Sequence, residues 1–443
     1  MGLNMFIPGF SKLDRNEKQE LLLKGFKDPV EAASIVESYR HIDPGVQKLH
    51  DEFSENTITN FFLPYGVAPN FIINGKMYMV PMVTEESSVV AAAARSARFW
   101  YSRGGFYAGV NELIKNGQVH FIWSGDPRRL KEAFPELKEN LLEGTRHITA
   151  NMVSRGGGIR NIELIDKSEE LDGYFQISAG FDTRDSMGAN FINSCLEEFA
   201  VILRAFVSSD RRFENGERDL RIIMSILSNF TDNCLVTSAV RCSVKELQEI
   251  AGDMPAEEFA RKFQEAFLMA GVDVYRATTH NKGIFNGIDA VVIATGNDFR
   301  AVEAAGHAWA AREGRYKSLS ACSLENGMFS LSLTLPMAVG TVGGLTSLHP
   351  MAKLSLELLG NPPAGELMGI IASAGLASNF AAVSSLVTKG IQSGHMKMHL
   401  SNILNHFGAS DVERKAAIEF FRDRKVGFSA VEQFLNKLRG NND

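Results

Sequence analysis

Four short polar segments, each beside an apolar run, hold the side chains of this sequence that could do chemistry. They contain Glu86, Lys282, Asp298 and His395, and so supply two carboxyl groups, an ammonium group and an imidazole. An ammonium group can stabilise negative charge on a reacting carbonyl oxygen, and a carboxyl or imidazolium group can donate a proton. The four side-chain types together indicate the reduction of a carbonyl group and the protonation of a leaving group.

Each of these four residues also has an ordinary structural explanation. Glu86 begins a predicted apolar helix, where a carboxylate favours the helix dipole, and Asp298 occupies a position typical of a helix cap. Lysine side chains are usually solvated, so Lys282 could be an ordinary surface residue. His395 could be a structural histidine that shares a helix stripe with His399. The residues alone leave both explanations open at each position.

Hydrophobic patterning places these segments in a mixed chain of helices and strands. Asn74-Gly75 between two apolar runs predicts a β-hairpin with a type I′ turn, and Pro81 is expected to end its second strand. The Val-Val-Ile-Ala run within 289–294 is interpreted as a buried strand. Helices are predicted over 14–60, 87–103, 255–269, 298–312 and 365–391, and a further strand over 234–244.

A stretch of smaller elements from 113 to 222 is typical of an α+β insert. It contains predicted strands at 119–123 and 174–179 and predicted helices at 135–143 and 187–206, with Pro135 in the first turn of its helix. Gly188 would let a backbone approach a ligand, and the helix start there could face a phosphate, although a plain capped helix explains it too. The sequence has no Rossmann fingerprint, so a bound dinucleotide would need another kind of site.

The composition argues against several other classes of protein. A chain of 443 residues with a net charge of −6 predicts two or three domains and no nucleic-acid-binding surface. The four cysteines form no Cys-X-X-Cys pair, which indicates reduced, mostly buried thiols in a cytosolic protein and predicts no metal site. The sequence shows no signal-like segment and no uncharged apolar stretch of about 18 residues, so neither export nor a membrane span is expected.

The motifs in their order resemble those of class II 3-hydroxy-3-methylglutaryl-coenzyme A (HMG-CoA) reductases, the bacterial and archaeal form of the family. The resemblance covers nearly the whole chain and includes the segment Thr-His-Asn-Lys-Gly around Lys282. One departure is Ser87, where a family member has proline, but no reacting group is lost with it. The matching pieces lie at 55–56, 63–68, 74–75, 85–88, 185–190, 226–229, 279–283, 294–298, 342–344 and 390–396.

The resemblance implies an α+β fold with three parts. A large mixed α/β domain over 1–112 and 223–387 is expected to bind HMG-CoA and to dimerise. A small ferredoxin-like, non-Rossmann domain over 113–222, inserted into the large one, is expected to bind the nicotinamide cofactor. A helical C-terminal flap over 388–443 is expected to carry the catalytic histidine. Because the family's sites form across a dimer interface, we expect a homodimer or a trimer of dimers.

The resemblance also implies a role for each matching residue. Lys282 would stabilise the carbonyl oxyanion in both hydride transfers, and Glu86 would protonate the aldehyde-level oxygen. Asp298 would organise these two side chains, and His395 would protonate the departing coenzyme A thiolate. The implied substrate-binding residues are Ser88, Arg276 and Asn286 for the hydroxymethylglutaryl group and Lys12 for a coenzyme A phosphate. The implied cofactor-binding residues are Asp185, Met187, Gly188, Asn190 and Asn229.

The choice between cofactors depends on one position. NAD-preferring members of the family carry an aspartate seven residues before the triple glycine at 156–158, and this chain has Thr149 there. Threonine does not repel a 2′-phosphate, and Arg146, His147 or Arg155 could pair with one. We therefore expect NADPH, with NADH as the alternative donor and no metal.

The expected reaction is the four-electron reduction of (S)-HMG-CoA to (R)-mevalonate and coenzyme A with two molecules of NAD(P)H. It would serve the mevalonate pathway of isoprenoid synthesis in the cytoplasm. Three alternatives are kept: the reverse, NAD-dependent oxidation of mevalonate; a non-catalytic sensor of coenzyme A or a nucleotide; and an acyl-coenzyme A hydrolase.

Overall fold

The structure is a computed structural model that describes residues 6–388, 400–422, 424 and 426–440, and the chain forms two compact units, 1–64 and 65–443. In its described part the first unit contains the helices α1 (Arg15–Leu23), α2 (Pro29–Ser38) and α3 (Pro44–Glu52). Each helix follows an aspartate whose carboxylate accepts hydrogen bonds from N–H groups of the first turn, which explains where the helices begin. The helical prediction for 14–60 is confirmed for these segments.

The second unit begins with a two-stranded antiparallel ribbon and a helix that packs against it. Asn74 and Gly75 adopt φ angles of 50° and 79°, as the predicted hairpin turn requires. The prediction that Pro81 ends the second strand is wrong, because Pro81 pairs with Val67 inside it. A strand with a single partner tolerates proline, since the missing N–H can lie on the unpaired edge. The elements are β1 (Tyr65–Ile73), β2 (Lys76–Val83), α4 (Val89–Tyr101) and then β3 (Tyr107–Val110).

The small sheet has four antiparallel strands with helices between them. Its elements are β4 (Ile114–Trp123), α5 (Pro127–Gly144), α6 (Arg146–Ser154), β5 (Gly158–Asp166), β6 (Tyr174–Asp182), α7 (Ala189–Ser209) and β7 (Leu220–Leu227). The spatial order β5-β6-β4-β7 with this succession of elements is the split βαβ arrangement of ferredoxin-like folds. Pro135 lies inside α5 and not in its first turn, because Asp126 and Pro127 already start that helix upstream.

The large sheet has the antiparallel strand order β3-β8-β10-β9. The prediction of a strand at 289–294 is wrong, because these residues form the last part of α10, which packs against α14. A short apolar run does not distinguish a buried strand from a buried helix. The elements are β8 (Leu235–Ser243), α8 (Gln248–Ala251), α9 (Ala256–Val272), α10 (Val274–Ala294), α11 (Phe299–Ala310), β9 (Ser320–Glu325), β10 (Met328–Pro336), α12 (Gly344–Leu348), α13 (Pro350–Leu358) and α14 (Ala364–Val387).

Helix α14 runs through the core beside α10. A Cβ atom at Gly287 would collide with the carbonyl oxygen of Ala374, so the glycine lets the two helix backbones approach closely. Within the described residues α14 alone is long and apolar enough to cross a membrane, but 72% of its qualifying window is buried inside the fold. Such burial is what a core helix shows.

The described part of the C-terminal segment has an apolar core of its own. The helices α15 (Asp411–Phe420) and α16 (Phe428–Leu438) bury Ala417, Val431 and Leu435 together with residues of 400–409. His395 and the predicted hinge at 390–394 lie outside the described residues. The role of this segment as a flap stays a prediction.

Candidate active site

One cavity of about 960 Å³ brings together five of the residues expected from the sequence. It lies between the start of α4, one face of α10 and the last turns of α14, with the segment 249–254 on a further side. The five residues are Glu86, Ser88, Arg276, Lys282 and Asn286. Residues separated by up to 200 positions in the sequence therefore share one open cavity.

The start of α4 supplies one carboxyl group of the cavity, that of Glu86. Ser88 is the N-cap residue of α4, and its hydroxyl donates to Oε1 of Glu86 at 3.4 Å. The backbone N–H of Glu86 donates to Oγ1 of Thr84 at 3.1 Å, which fixes the bend before the helix. Since the N-terminus of a helix carries partial positive charge, this position also suits an anionic group.

Helix α10 supplies two cations of the cavity, Arg276 and Lys282. Arg276, Thr279, Gly283 and Asn286 recur at intervals of three and four residues, so they share one helix face towards the cavity. Arg276 is half-buried, and burial lowers the pKa of its guanidinium, which nevertheless remains charged at neutral pH. Lys282 is exposed and, within the described part of the chain, makes neither a hydrogen bond nor an ion pair. Its ammonium group is therefore available to a ligand.

The neighbours of Lys282 serve the structure of the helix. Nε2 of His280 lies 2.7 Å from Oγ of Ser320 and 3.2 Å from Nδ2 of Asn379. The side chain of Asn281 bonds the backbone of the segment before β9 on both its oxygen and its nitrogen. Burial, followed by the charge of Arg276, lowers the pKa of His280 to about 3, so this imidazole stays neutral. These two buried side chains hold α10 in place while Lys282 faces the cavity.

Asp298 lies away from this cavity in the same chain. Its carboxylate accepts hydrogen bonds from the N–H groups of Arg300 and Ala301 at the start of α11, and it forms an ion pair of 2.6 Å with Arg300. The hydrogen bond from Arg300 lowers the pKa of Asp298. Lys282 lies twelve residues before the end of α10, a rise of about 18 Å along the helix axis, and Asp298 follows that end. Asp298 is not among the residues that line the cavity with Lys282 and Glu86.

The expected cofactor-binding residues surround the turn 183–188 and the start of α7. Met187 and Asn229 line one small cavity of about 10 Å³ together with Lys115. Asp185 has a structural bond, because its Oδ1 accepts from the N–H of Ala364 at the start of α14 at 2.7 Å. Gly188, with a φ angle of 86°, is the N-cap residue of α7, and Asn190 is exposed in the first turn of that helix.

The remaining expected residues lie elsewhere. Thr149 is only 7% exposed within α6, and its hydroxyl lies 3.4 Å from the carbonyl oxygen of Arg146. Arg146 is exposed and forms an ion pair with Glu143 at 2.7 Å. Lys12 is exposed in the first unit, in the short 3₁₀ turn Phe10–Lys12.

Sequence reasoning missed several residues that line the cavity. Arg95 lies seven residues after Ser88 on α4, and this helical spacing is a signal that could have found it. Glu249 and Asp253 come from the segment around α8, for which the sequence carries no comparable pattern. The buried Lys115 of β4 was missed as well, because a lysine in a strand pattern is normally read as exposed.

Comparisons with known proteins agree on one family. The sequence model of the hydroxymethylglutaryl-coenzyme A reductase family matches residues 15–400. The 3-hydroxy-3-methylglutaryl-coenzyme A reductase of Archaeoglobus fulgidus is 35% identical over 98% of this chain and 94% of its own length. The probable reductase of Borreliella burgdorferi is 31% identical over 99% of this chain and 98% of its own.

Solved structures agree with the sequence comparisons. The class II reductase of Streptococcus pneumoniae, bound to NADPH in open conformations, has a TM-score of 0.70 and 38% identity, and the match covers 87% of this chain and all of that one. A further structure of the Streptococcus pneumoniae enzyme has a TM-score of 0.71 and 36% identity over 98% of this chain and all of its own.

The shared fold and the family match define an oxidoreductase. The chain belongs to the hydroxymethylglutaryl-coenzyme A reductase family, in its class II form. The resemblance read from the motifs and the expected fold class are thereby confirmed.

Proposed function

We propose that this chain reduces (S)-HMG-CoA to (R)-mevalonate and coenzyme A with two molecules of NADPH, in the cytoplasm. The observation that carries the proposal is the meeting of Glu86 and Lys282 in one cavity with Ser88, Arg276 and Asn286. Family membership supports the reaction, and the name of the Streptococcus pneumoniae structure supports the cofactor. The domain division expected from the sequence, with the small sheet on the cofactor side, is part of the proposal.

The start of α7 fits the phosphates of a dinucleotide. Helix α7 begins at Gly188 without a hydrogen bond from a capping side chain among the described residues, so its first N–H groups are open to an anion. A Cβ atom at Gly188 would collide with the side chain of Thr183, so only glycine fits this approach. When bound there, NADPH supplies the hydride, with Met187, Asn190 and Asn229 as its neighbours.

Lys282 acts on the substrate oxygen in both steps. Attack of hydride on the thioester carbon places negative charge on its oxygen, and the ammonium group of Lys282 stabilises that charge. The resulting hemithioacetal breaks its carbon–sulfur bond and yields mevaldehyde and a thiolate, which His395 protonates. The second hydride attacks the aldehyde carbon, and Glu86 gives a proton to the new alkoxide.

Arg276 holds the substrate in place. A half-buried guanidinium can form two parallel hydrogen bonds with the carboxylate of the hydroxymethylglutaryl group. Ser88 and Asn286 line the same cavity and supply hydrogen-bonding groups for the remaining oxygens. Lys12 is assigned to a coenzyme A phosphate on the resemblance alone.

The active form is proposed to be a homodimer. Asp298 follows the end of α10 and does not line the cavity that holds Lys282 and Glu86, so we assign it to the site of a second copy of the chain. Its carboxylate would then organise the Lys282 and Glu86 of the partner subunit. A closed dimer in which each copy completes the site of the other satisfies this requirement for both sites.

A single assay tests the reaction against its alternatives. The protein is mixed with HMG-CoA and NADPH, and the reduced cofactor and the free thiol are followed together. Two NADPH molecules consumed per thiol released support the reductase. Thiol release without cofactor oxidation identifies a hydrolase, and no reaction with either reporter would favour a sensor. A parallel assay with mevalonate, coenzyme A and NAD⁺ measures the rate of the oxidative direction for comparison with that of the reductive direction.

The cofactor preference has its own test. NADPH and NADH are compared over a concentration series, and a lower KM for NADPH is expected because Arg146, His147 or Arg155 could pair with the 2′-phosphate, which Thr149 does not repel. A lower KM for NADH would show that the protein prefers NADH as the hydride donor.

A further inference from the structure

Lys115 is a lysine in an environment that lysines normally avoid. It lies on β4 and is 3% exposed. Its Nζ donates to Oγ1 of Thr183 at 2.7 Å and to the carbonyl oxygen of Ser186 at 3.1 Å. Burial lowers its pKa, against the opposing influence of Cys234, Asp182 and Asp185. A buried ammonium group destabilises a fold unless it is well paired, and these two hydrogen bonds supply that pairing.

Both hydrogen bonds end on one turn. The hydroxyl of Thr183 also donates to the carbonyl oxygen of Ser186 at 2.6 Å, so the ammonium, the hydroxyl and the carbonyl form a closed triangle. The N–H of Ser186 in turn donates to the carbonyl oxygen of Thr183 at 3.1 Å. The ammonium group therefore locks the turn 183–188 from the side of the small sheet.

The turn is held from the opposite side as well. The carbonyl oxygen of Asp185 accepts from the N–H groups of Thr341 and Val342 at 2.8 and 3.3 Å, and its carboxylate holds the start of α14. The side chain of Thr183 lies directly against Gly188, the residue from which α7 begins. The position of Thr183 thus decides where the first N–H groups of α7 point.

We infer that Lys115 is a positioning residue for the dinucleotide. It fixes the turn 183–188 so that the start of α7 is presented to the cofactor phosphates before the cofactor arrives. This inference rests on the proposed function, which places NADPH at that helix start. Lys115 lies outside the cavity between α4, α10 and α14, so its loss should spare the binding of HMG-CoA.

The test is Lys115→Met, which keeps the length of the side chain and removes the ammonium group. Without the ammonium group the Kd of NADPH should rise by roughly tenfold to a hundredfold, which is the size of effect expected when a charged hydrogen-bond donor is lost. The Kd of HMG-CoA should stay within about twofold of the wild-type value. NADPH binding is measured by its fluorescence and HMG-CoA binding by calorimetry. The matched control is Lys131→Met, which removes a surface ion pair with Asp166 of 2.9 Å and should change neither constant.

A second pair of variants covers the case in which Lys115→Met does not fold. Thr183→Val removes the hydroxyl and should show the same selective loss of NADPH affinity, whereas Thr183→Ser keeps the hydroxyl and should retain most of it. A folded Lys115→Met or Thr183→Val protein that binds NADPH as the wild type does, or that loses both ligands equally, overturns the inference. A wild-type protein that binds no NADPH overturns the proposed function itself, and the inference with it.

Discussion

Lys282 in the cavity and Lys115 beneath the turn 183–188 carry the same side chain in opposite surroundings. Lys282 is exposed and has no hydrogen-bond or ion-pair partner among the described residues, whereas Lys115 is buried and bonded to two oxygens of the turn. The same contrast separates Glu86, which is partly exposed at a helix start, from Asp185, whose carboxylate is bonded to the start of α14.

Lys282 and Glu86 are placed to react with a substrate, whereas Lys115 and Asp185 hold the backbone in position. A side chain that must meet changing charge on a substrate has to be left free of permanent partners. A side chain that fixes backbone geometry is stable only when its polar atoms are satisfied. Substitutions in the cavity should therefore change kinetics with little effect on stability. Substitutions around the turn should change stability and cofactor binding.

The largest expected effect in the cavity, short of removing Lys282, comes from Glu86→Gln. The substitution keeps the shape of the side chain and removes its proton, so the turnover of mevaldehyde should fall about 10²- to 10⁴-fold. The melting temperature should stay near that of the wild type. The matched control is Glu85→Gln, an exposed neighbour that should retain activity. Near-normal turnover of Glu86→Gln would remove this residue from the reacting groups.

Mixing of variant subunits tests whether the Lys282 and Asp298 of one active site come from the same chain or from two chains. Lys282→Ala and Asp298→Ala should each be inactive, but a mixed dimer would retain one intact site if Asp298 serves its partner. Random reassociation should then restore about one quarter of the wild-type activity. The control is a mixture of Lys282→Ala with Glu86→Gln, which should restore nothing because both residues line the same cavity. Recovery of activity in the control mixture, or no recovery in the mixture of Lys282→Ala with Asp298→Ala, would contradict the assignment of Asp298 to the partner's site.

Arg276→Lys should have a smaller effect, confined to substrate binding. Lysine keeps the charge but loses the paired geometry of the guanidinium, so the KM for HMG-CoA should rise about tenfold with a smaller change in kcat. Steady-state kinetics measure both constants. Arg261→Lys, at an exposed position on α9, provides a matched control with no change expected. A fall in kcat at unchanged KM would mean that Arg276 acts in the chemical step instead.

Asp185→Ala should show the smallest effect on turnover and a clear effect on stability. The carboxylate satisfies the first N–H of α14, so its loss should lower the free energy of unfolding by about 1–2 kcal/mol. Urea denaturation measures this change, and Asp185→Asn should preserve most of the stability. Unchanged stability together with lost NADPH affinity would show that Asp185 contacts the cofactor directly.

The sequence predicted most elements and named five residues that the structure brings into one cavity. The hairpin at Asn74-Gly75, the helices near Glu86 and Asp298 and most strands follow from local turn and capping chemistry, which sequence carries directly. The wrong predictions concern segments whose secondary structure is decided by tertiary packing. The apolar end of α10 fits a strand as well as a helix, because both structures bury such a run. Pro81 fits a strand end by its residue type, but β2 has a free edge that accommodates proline inside the strand.

The cofactor side was harder to predict for a physical reason. The sequence assigns Asp185 and Thr149 to the cofactor, and this assignment stays a prediction; in the structure Asp185 is bonded to the start of α14 and Thr149 is buried in α6. Conversely, Lys115 gives no signal in sequence, because its role depends on a turn about 70 residues away. A motif marks where a backbone must adopt a special geometry and does not say which of its side chains touches the ligand.

A structure of the dimer with HMG-CoA bound tests the central assignment most directly. We predict that Nζ of Lys282 lies about 2.7–3.1 Å from the thioester oxygen, within hydrogen-bonding distance. Glu86 should line the same site. A complex in which this ammonium group points into solvent, while other donors hold the thioester oxygen, would contradict it.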